Sequence, residues 1–336
     1  MRGRVSPLCF LTTYCCVFLS PTELSANRIP DVTATLGPDS FACTFFRQAT
    51  SSGKYCSKLI KYSDVIRFKV LHGLKAEGKT SMKTNGKNIL ITGGAGFIGS
   101  HLVDEYIEQR ARKVIVFDDF STGFTKNLES HRSEQLSIVK GSILNAKLLN
   151  QTVKREEVEI IDHEAAELEV YTGILNAQED AKINILGTLN VLNTAVRNKV
   201  EKVLFASSGA VYGEADYLPV DENHPLTPHW PYGVSKLSAE RYCIQYYRLY
   251  GLDTTAFRYS IVYGPREWYG RVLTMFMKRI FLENKPPVVF GNGKQVRDFV
   301  YVKDLVKAHV RAVESSGVSG EVFNLSSGKS ISINSD

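Results

Sequence analysis

The chain has 336 residues, 43% hydrophobic and 23% charged, a balance that supports one or two buried cores and excludes a disordered tail or a collagen-like fibre. The formal charge of +6 is confined to one end: residues 1–87 hold 13 Lys/Arg and 5 Asp/Glu, and the rest hold 28 and 30. The slightly acidic remainder excludes a nucleic-acid-binding role for it.

In the N-terminal extension, residues 1–87, Arg2 and Arg4 precede an apolar run at residues 8–19 with the length and flanks of a signal-peptide core. That run is too short to span a bilayer as a helix, so no membrane span is expected. The sequence that follows has no sustained period of 2 or 3.6, and no packed domain is expected there. Three readings remain open. It is a secretory or organellar targeting segment, or it is untranslated upstream sequence ahead of a natural start at Met82-Lys-Thr-Asn-Gly-Lys87, or it is a cysteine-stapled module. The last leaves one of Cys9, Cys15, Cys16, Cys43 and Cys56 unpaired and has no metal-ligand spacing. Apart from a targeting role of that segment, the expected location is the cytoplasm.

From Asn88 the character changes. Asn88-Ile-Leu-Ile-Thr92 reads as a short buried strand, Gly93-Gly-Ala-Gly96-Phe97-Ile98-Gly99 as a glycine turn, and residues 98–110 as a helix. A second apolar run, Val114-Ile-Val-Phe117, ends in Asp118-Asp119. This order of strand, turn, helix, strand and acid is a dinucleotide site: Gly93 and Gly96 let the backbone approach a pyrophosphate, and Gly99 lets the helix pack on the sheet. The helix N-terminus offers its dipole and N–H groups to phosphate. Asp118, 19 residues after Gly99, can bridge a ribose diol and repels a 2′-phosphate, with Asp119 adding to that field, so the cofactor is expected to be NAD rather than NADP.

Further on, Tyr232-x-x-x-Lys236 follows Pro231. Such a pair is expected about once by chance in a chain of this composition, but a helix starting after Pro231 puts the two on one face at i,i+4. The ammonium, with a positively charged nicotinamide, would lower the phenol toward working pH and make it a general base for an alcohol. Ser208, just beyond the strand Val203-Leu-Phe-Ala206, is placed to bond the same substrate oxygen, although a Ser-Ser-Gly turn alone is equally a loop cap. His163 is read as capping backbone at the end of a buried strand, and Cys243 as core.

These motifs together resemble the extended short-chain dehydrogenase/reductase family, the nucleotide-sugar epimerases and dehydratases of the UDP-glucose 4-epimerase type. The resemblance runs from about Asn88 to the end of the chain. It rests on Thr92-Gly-Gly-Ala-Gly-Phe-Ile-Gly-Ser-His101, Asp118-Asp-Phe-Ser121-Thr122-Gly123, His163-Glu-Ala165-Ala166, Asn184-Ile-Leu-Gly-Thr-Leu189, Ser207-Ser-Gly-Ala-Val-Tyr-Gly213, Tyr232-Gly-Val-Ser-Lys236, Arg258-Tyr259-Ser-Ile-Val-Tyr-Gly-Pro265 and Arg297-Asp-Phe-Val-Tyr-Val302. It implies an α/β fold: a Rossmann-type doubly wound parallel sheet over residues 88–260, carrying NAD and a Ser208/Tyr232/Lys236 triad. Residues 261–336 would be a partial, C-terminally truncated sugar-nucleotide-binding subdomain interleaved with the last Rossmann elements, because family members usually continue for several tens of residues. Cofactor contacts would come from Gly93, Gly96, Phe97, Ile98, Gly99, Asp118, Asp119, Ser121, Thr122, Gly123, Ser142, Ile143, Ala165, Ala166, Tyr232, Lys236 and Tyr259. Ser208 and Arg297 would contact substrate, and no metal is implied.

Departures from the family pattern narrow the activity. The Asp–Glu pair that follows the catalytic hydroxyl in 4,6-dehydratases is Gly209-Ala210 here, and the decarboxylase Glu is also replaced by Ala210. Elimination and decarboxylation therefore lack their acid–base partners. The adenine-contacting acid of a Gly-Asp-Ile motif is Ser142, and the Asn that many epimerases place after Arg-Tyr-x is Ile261. The expected function is an NAD-dependent nucleotide-sugar 4-epimerase, oxidising C4 transiently and returning the hydride to the other face. Alternatives are an NAD(P)-dependent sugar-nucleotide reductase or dehydrogenase of the same family and an inactive nucleotide-binding relative. The expected partners are a nucleotide sugar and a second copy, in a homodimer formed through the helices that carry Asn184 and Tyr232.

Overall fold

The computed structural model describes residues 83–131, 134–168 and 170–334; the targeting, upstream-sequence and cysteine-module readings of residues 1–82 lie outside them. Six strands, β1 (Asn88–Thr92), β2 (Lys113–Asp118), β3 (Leu136–Lys140), β4 (Ile160–His163), β5 (Lys202–Ser208) and β6 (Asp253–Tyr259), alternate with helices α1 (Phe97–Glu108), α2 (Ala146–Arg155), α3 (Val170–Leu175), α4 (Ala177–Ala181), α5 (Thr188–Arg197) and α6 (Pro231–Tyr250). A wider π turn, Lys182–Gly187, joins α4 to α5. Then come β7 (Ile261–Tyr263), α7 (Val272–Met277), β8 (Val296–Arg297), β9 (Phe299–Tyr301), α8 (Val302–Glu314), β10 (Glu321–Leu325) and β11 (Ile331–Ser332).

Seven strands form one sheet in the order β10-β6-β5-β4-β1-β2-β3, and all its pairs are parallel. Right-handed crossovers put helices on both faces, so the central strands are buried on both sides and read as continuous apolar runs such as Asn-Ile-Leu-Ile-Thr. Ile89 and Ile91 face Leu102, Tyr106, Leu305 and Val306 of α1 and α8. Leu90 faces Leu149, Val191, Leu192 and Ala239 of α2, α5 and α6. This confirms the doubly wound α/β expectation. The chain leaves β1 toward β2 on one side and takes up β4 on the other, and at that switch point an open parallel sheet has a crevice beyond its carboxyl ends.

The boundaries of α6 are set locally. Pro231 occupies its first turn, where the missing N–H costs nothing, and Gly251 ends it at φ +66°. Its middle is anchored to β6 by the buried Arg258, whose guanidinium meets both oxygens of Glu240 at 2.6 and 2.9 Å. Ser207 on β5 donates to the same carboxylate at 2.8 Å. An uncompensated charge there would be costly, so the helix that carries Tyr232 and Lys236 is pinned in register with the strand that carries Ser208.

The larger of two compact units comprises the described residues through 287 and residues 299–326. It includes the parallel pair β7–β9. The smaller contains residues 288–298 and 327–334, in which β8 pairs antiparallel with β11. There the Asp298 carboxylate accepts from the backbone N–H of Ser327 and Gly328, each at 2.7 Å.

Candidate active site

The glycine turn at the switch point is shaped by what it excludes. Gly93 has φ +68°, and a Cβ there would lie 2.8 Å from the Ala165 nitrogen at the end of β4. A Cβ on Gly99 would lie 2.2 Å from the Gly93 carbonyl oxygen. The first turn of α1 has no side-chain cap and no acidic residue, so its N–H groups face the crevice at the positive end of the helix. Asp118 ends β2 beside this turn. One of its oxygens accepts from the Ala95 N–H at 2.9 Å and the other from the Phe120 N–H at 2.8 Å. Burial raises its carboxyl above the ordinary value, opposed by those two N–H groups. Each oxygen keeps a lone pair, enough to accept from a ribose hydroxyl.

Around Asp118 the loop is closely fitted. Asp119 accepts from the Ser121 N–H at 2.9 Å, Thr122 is exposed, and a Cβ on Gly123 would press within 2.9 Å of Asp118 Oδ1. Asn127, which motif reasoning did not single out, donates to the Ala95 carbonyl at 2.9 Å and fixes the glycine turn from behind. The Ser142 hydroxyl accepts from the Leu144 N–H at 3.3 Å. Ile143 is buried against Gly187, where a Cβ would lie 2.4 Å from its Cδ1. Phe97, Ile98, Ala165 and Ala166 are half-buried at the turn and the end of β4.

His163 caps no backbone, contrary to expectation. Its Nδ1 lies 2.7 Å from the Thr92 hydroxyl and its Nε2 3.0 Å from that of Thr188. Thr188 donates to the Asn184 carbonyl, and Thr92 accepts from the Ala165 N–H, which assigns the neutral ring an Nε2–H. Burial, then Lys236, pushes its pKa down to about 3. Cys243 is buried on α6 as expected, and burial pushes its thiol up.

Ser208, Tyr232 and Lys236 meet beyond the end of β5. Ser208 caps the turn Gly209–Val211, accepting from the Ala210 N–H at 3.1 Å, and its hydroxyl acts on the Tyr232 phenol, pulling its pKa down. The cap and substrate-contact readings of this serine are thus compatible. Lys236 donates from Nζ to the Ala206 carbonyl at 2.7 Å and lies 5.9 Å from the Tyr232 ring centre. The expectation of a lowered phenol is not met by these groups alone. Burial raises Tyr232 above its ordinary value, while Arg271 and the Ser208 bond pull it down. Burial also lowers the Lys236 ammonium, opposed by Glu164 and Asp180. Asp180, on α4, is fully buried. It accepts from Ser235 on α6 and, at 3.1 Å, from the Asn184 amide.

Tyr259 and Arg297 have the following surroundings. Tyr259 pairs with Ser208 across β5 and β6, but its hydroxyl is committed to Glu164 and His309 at 2.7 Å each, leaving only its backbone toward the Ser208–Gly209 turn. Arg297 lies on β8 in the smaller unit, where Nη1 donates to the Val296 carbonyl at 2.7 Å. The side chains of Glu164, Asp180, Asn127 and Arg271 had no local sequence signal. Their roles come from contacts between elements distant in sequence.

An uncapped helix end, a turn with no room for side chains and an acid at the end of β2 fit a dinucleotide, and the Ser–Tyr–Lys cluster fits a Rossmann-type oxidoreductase site. Residues 89–326 match the NAD dependent epimerase/dehydratase family. A putative UDP-glucose 4-epimerase of Methanocaldococcus jannaschii is 42% identical over 254 residues, 73% of this chain and 79% of that protein. A dTDP-glucose 4,6-dehydratase of Actinoplanes is 32% identical over 71% of this chain and 76% of that protein. Among solved structures, the UDP-glucose 4-epimerase of Thermotoga maritima with UDP-glucose superposes with a TM-score of 0.69 at 38% identity, covering 74% of this chain and 79% of that one. The chain belongs to the NAD-dependent epimerase/dehydratase family and is an enzyme of the extended short-chain dehydrogenase/reductase type, with NAD as its cofactor. Among the described residues, no helix is long and apolar enough to cross a membrane.

Asp118→Ser is expected to weaken NAD binding roughly 10- to 100-fold, the worth of a hydrogen bond to a charged group, and to narrow the preference for NAD over NADP. Calorimetric titration of both cofactors checks this.

Proposed function

We propose that the protein is an NAD-dependent nucleotide-sugar 4-epimerase. The observation that carries the reading is a Ser208–Tyr232–Lys236 cluster followed, in the turn where dehydratases keep their acid pair, by Gly209 and Ala210. Bound NAD supplies a reversible two-electron acceptor and a positive ring beside the phenol. The Ser208 hydroxyl holds the sugar 4-oxygen next to Tyr232, and Tyr232 as phenolate accepts its proton. The Lys236 ammonium favours that phenolate and, through its bond to Ala206, keeps its place as the proton moves. Epimerisation then requires the 4-keto sugar to turn within the site before Tyr232 returns the proton. Arg297, from its motif, is assigned to the substrate diphosphate, since a guanidinium matches phosphate geometry.

The reading includes a homodimer through the helices that carry Asn184 and Tyr232. It is supported by the exposed apolar side chains Leu186, Val234, Tyr242 and Tyr250 along them.

Incubation with UDP-glucose, UDP-galactose and their N-acetyl and uronate relatives, followed by proton NMR, is expected to show interconversion of one pair at C4 without added cofactor. A requirement for stoichiometric exogenous NADH or NADPH would favour the reductase reading instead.

A further inference from the structure

A chain of buried polar side chains crosses the face covered by α1 and α8 and is not used by the chemistry above. Because strand side chains alternate, Asp162 and Glu164 turn to this face while His163 turns to the other. Tyr106 on α1 donates to Asp162 Oδ2 at 2.8 Å. His309 Nδ1 on α8 lies 2.9 Å from the same oxygen, and its Nε2 lies 2.7 Å from the Tyr259 hydroxyl. That hydroxyl is 2.7 Å from Glu164 Oε1. Asp162, Tyr106 and His309 have no exposed surface. The ligand atoms of Asp162, Glu164 and His309 fall within 4.8 Å of one another, but the Tyr259 hydroxyl fills the gap between Glu164 and His309, so hydrogen bonds account for the cluster without an ion.

The far end of the chain reaches the catalytic edge of the sheet. His163 pairs with Phe205, which puts Glu164 one step beyond, level with Ala206, whose carbonyl holds Lys236 Nζ. We propose that Asp162, His309, Tyr259 and Glu164 form a buried proton relay whose Glu164 end sets the negative charge facing Lys236, making Glu164 a positioning residue for the catalytic ammonium. The proposal rests on the reading of Lys236 as catalytic.

The relay has two arrangements of equal net charge. In one, Glu164 carries the proton and donates to Tyr259, which donates to Nε2 of a neutral His309. In the other, the Glu164 proton has passed to the Tyr259 oxygen while the original Tyr259 proton has passed to Nε2, leaving ionised Glu164 and an imidazolium against Asp162. Two O–H bonds break, one O–H and one N–H bond form, and no proton leaves. The electrostatics keep both within reach. Burial, with Asp162, pushes the Glu164 carboxyl up, while His309, the Tyr259 bond and Lys236 pull it down. Burial pulls His309 down, but Asp162 and Glu164 prevail and hold it above its ordinary value. Among the carboxylates, Glu164 and Asp180 favour the Lys236 charge against burial.

The test follows Lys236 directly, by NMR titration of NAD-loaded protein carrying lysine labelled with carbon-13 at Cε, the signal assigned with Lys236→Met. Glu164→Gln, which keeps the shape and an acceptor for Tyr259, is expected to lower the Lys236 midpoint by about one pH unit or more. Tyr259→Phe is expected to lower it by less, because Glu164 loses a bond that favours its charge, and Glu164→Asp is expected to restore most of it. A purely structural role for Glu164 would change the thermal midpoint and leave the Lys236 titration where it was. An unmoved titration in folded Glu164→Gln overturns the proposal, and if that variant does not fold, an unmoved titration in Tyr259→Phe does the same. Because no substrate is needed, failure to find epimerase activity would count against the functional reading alone.

Discussion

Tyr232→Phe is expected to lower kcat by about 10²–10⁴-fold, the usual worth of a positioned general acid–base group, while the protein stays folded and still carries NAD. The phenol ring is half-buried at the start of α6, and only its oxygen is lost, so the Pro231 start and the Arg258–Glu240 anchor of the helix are untouched. The sign of the pH dependence follows from the neighbours. Rate should rise as Tyr232 loses its proton, a limb that burial moves up and that Arg271 and Ser208 move back down. It should fall again as Lys236 loses its proton, a limb that burial moves down. In the Phe variant the rising limb should vanish from what turnover is left. A rate within threefold of the parent would remove Tyr232 from the chemistry.

Gly99→Ala should act on the cofactor rather than on the chemistry. The added methyl would lie 2.2 Å from the Gly93 carbonyl oxygen and 2.8 Å from the Gly94 Cα. Both are backbone atoms of the turn expected to approach the pyrophosphate, so neither can swing away as a side chain would. Relief requires α1 to lift from the turn, which moves its N–H groups away from the phosphates and costs about 1–3 kcal/mol as overpacking does. NAD retained per purified chain should fall tenfold or more, by the arithmetic of about 1.4 kcal/mol per decade, and the thermal midpoint should drop with it. Unchanged NAD content would show that the turn is not the cofactor cradle.

The parts of this site that were legible in the sequence are those whose physics is local. The glycine turn, α1 and Asp118 lie within one strand–helix–strand unit, so spacing alone placed them. Tyr232 and Lys236 are one helical turn apart, and Pro231 announces the helix that sets them side by side. Ser208 could be read two ways: the cap reading is met by the bond its oxygen accepts from Ala210, and the substrate reading belongs to the proposal.

What was not legible depends on which elements meet. Glu164 is 145 residues from His309, and only the crossover that lays α8 over β4 brings the Tyr259 hydroxyl between them. Tyr259 itself shows the limit of motif reasoning. Its position beside Ser208 follows from the motif, but strand alternation points its hydroxyl into the core. The downward shift expected of Tyr232 from Lys236 together with the nicotinamide is not produced by the protein groups alone: i,i+4 spacing brings Lys236 near the ring, but burial raises the phenol, and Arg271 at the start of α7 is a cation that pulls it back down.

The central claim is that a nucleotide sugar is inverted at C4 by oxidation and reduction within one site. Substrate carrying deuterium at C4 tests it most directly, in ordinary water and without added cofactor. The account predicts an equilibrium mixture of the two C4 epimers, each retaining its deuterium. Epimers that have lost the label to solvent, or no epimer at all from protein that carries NAD, would contradict it.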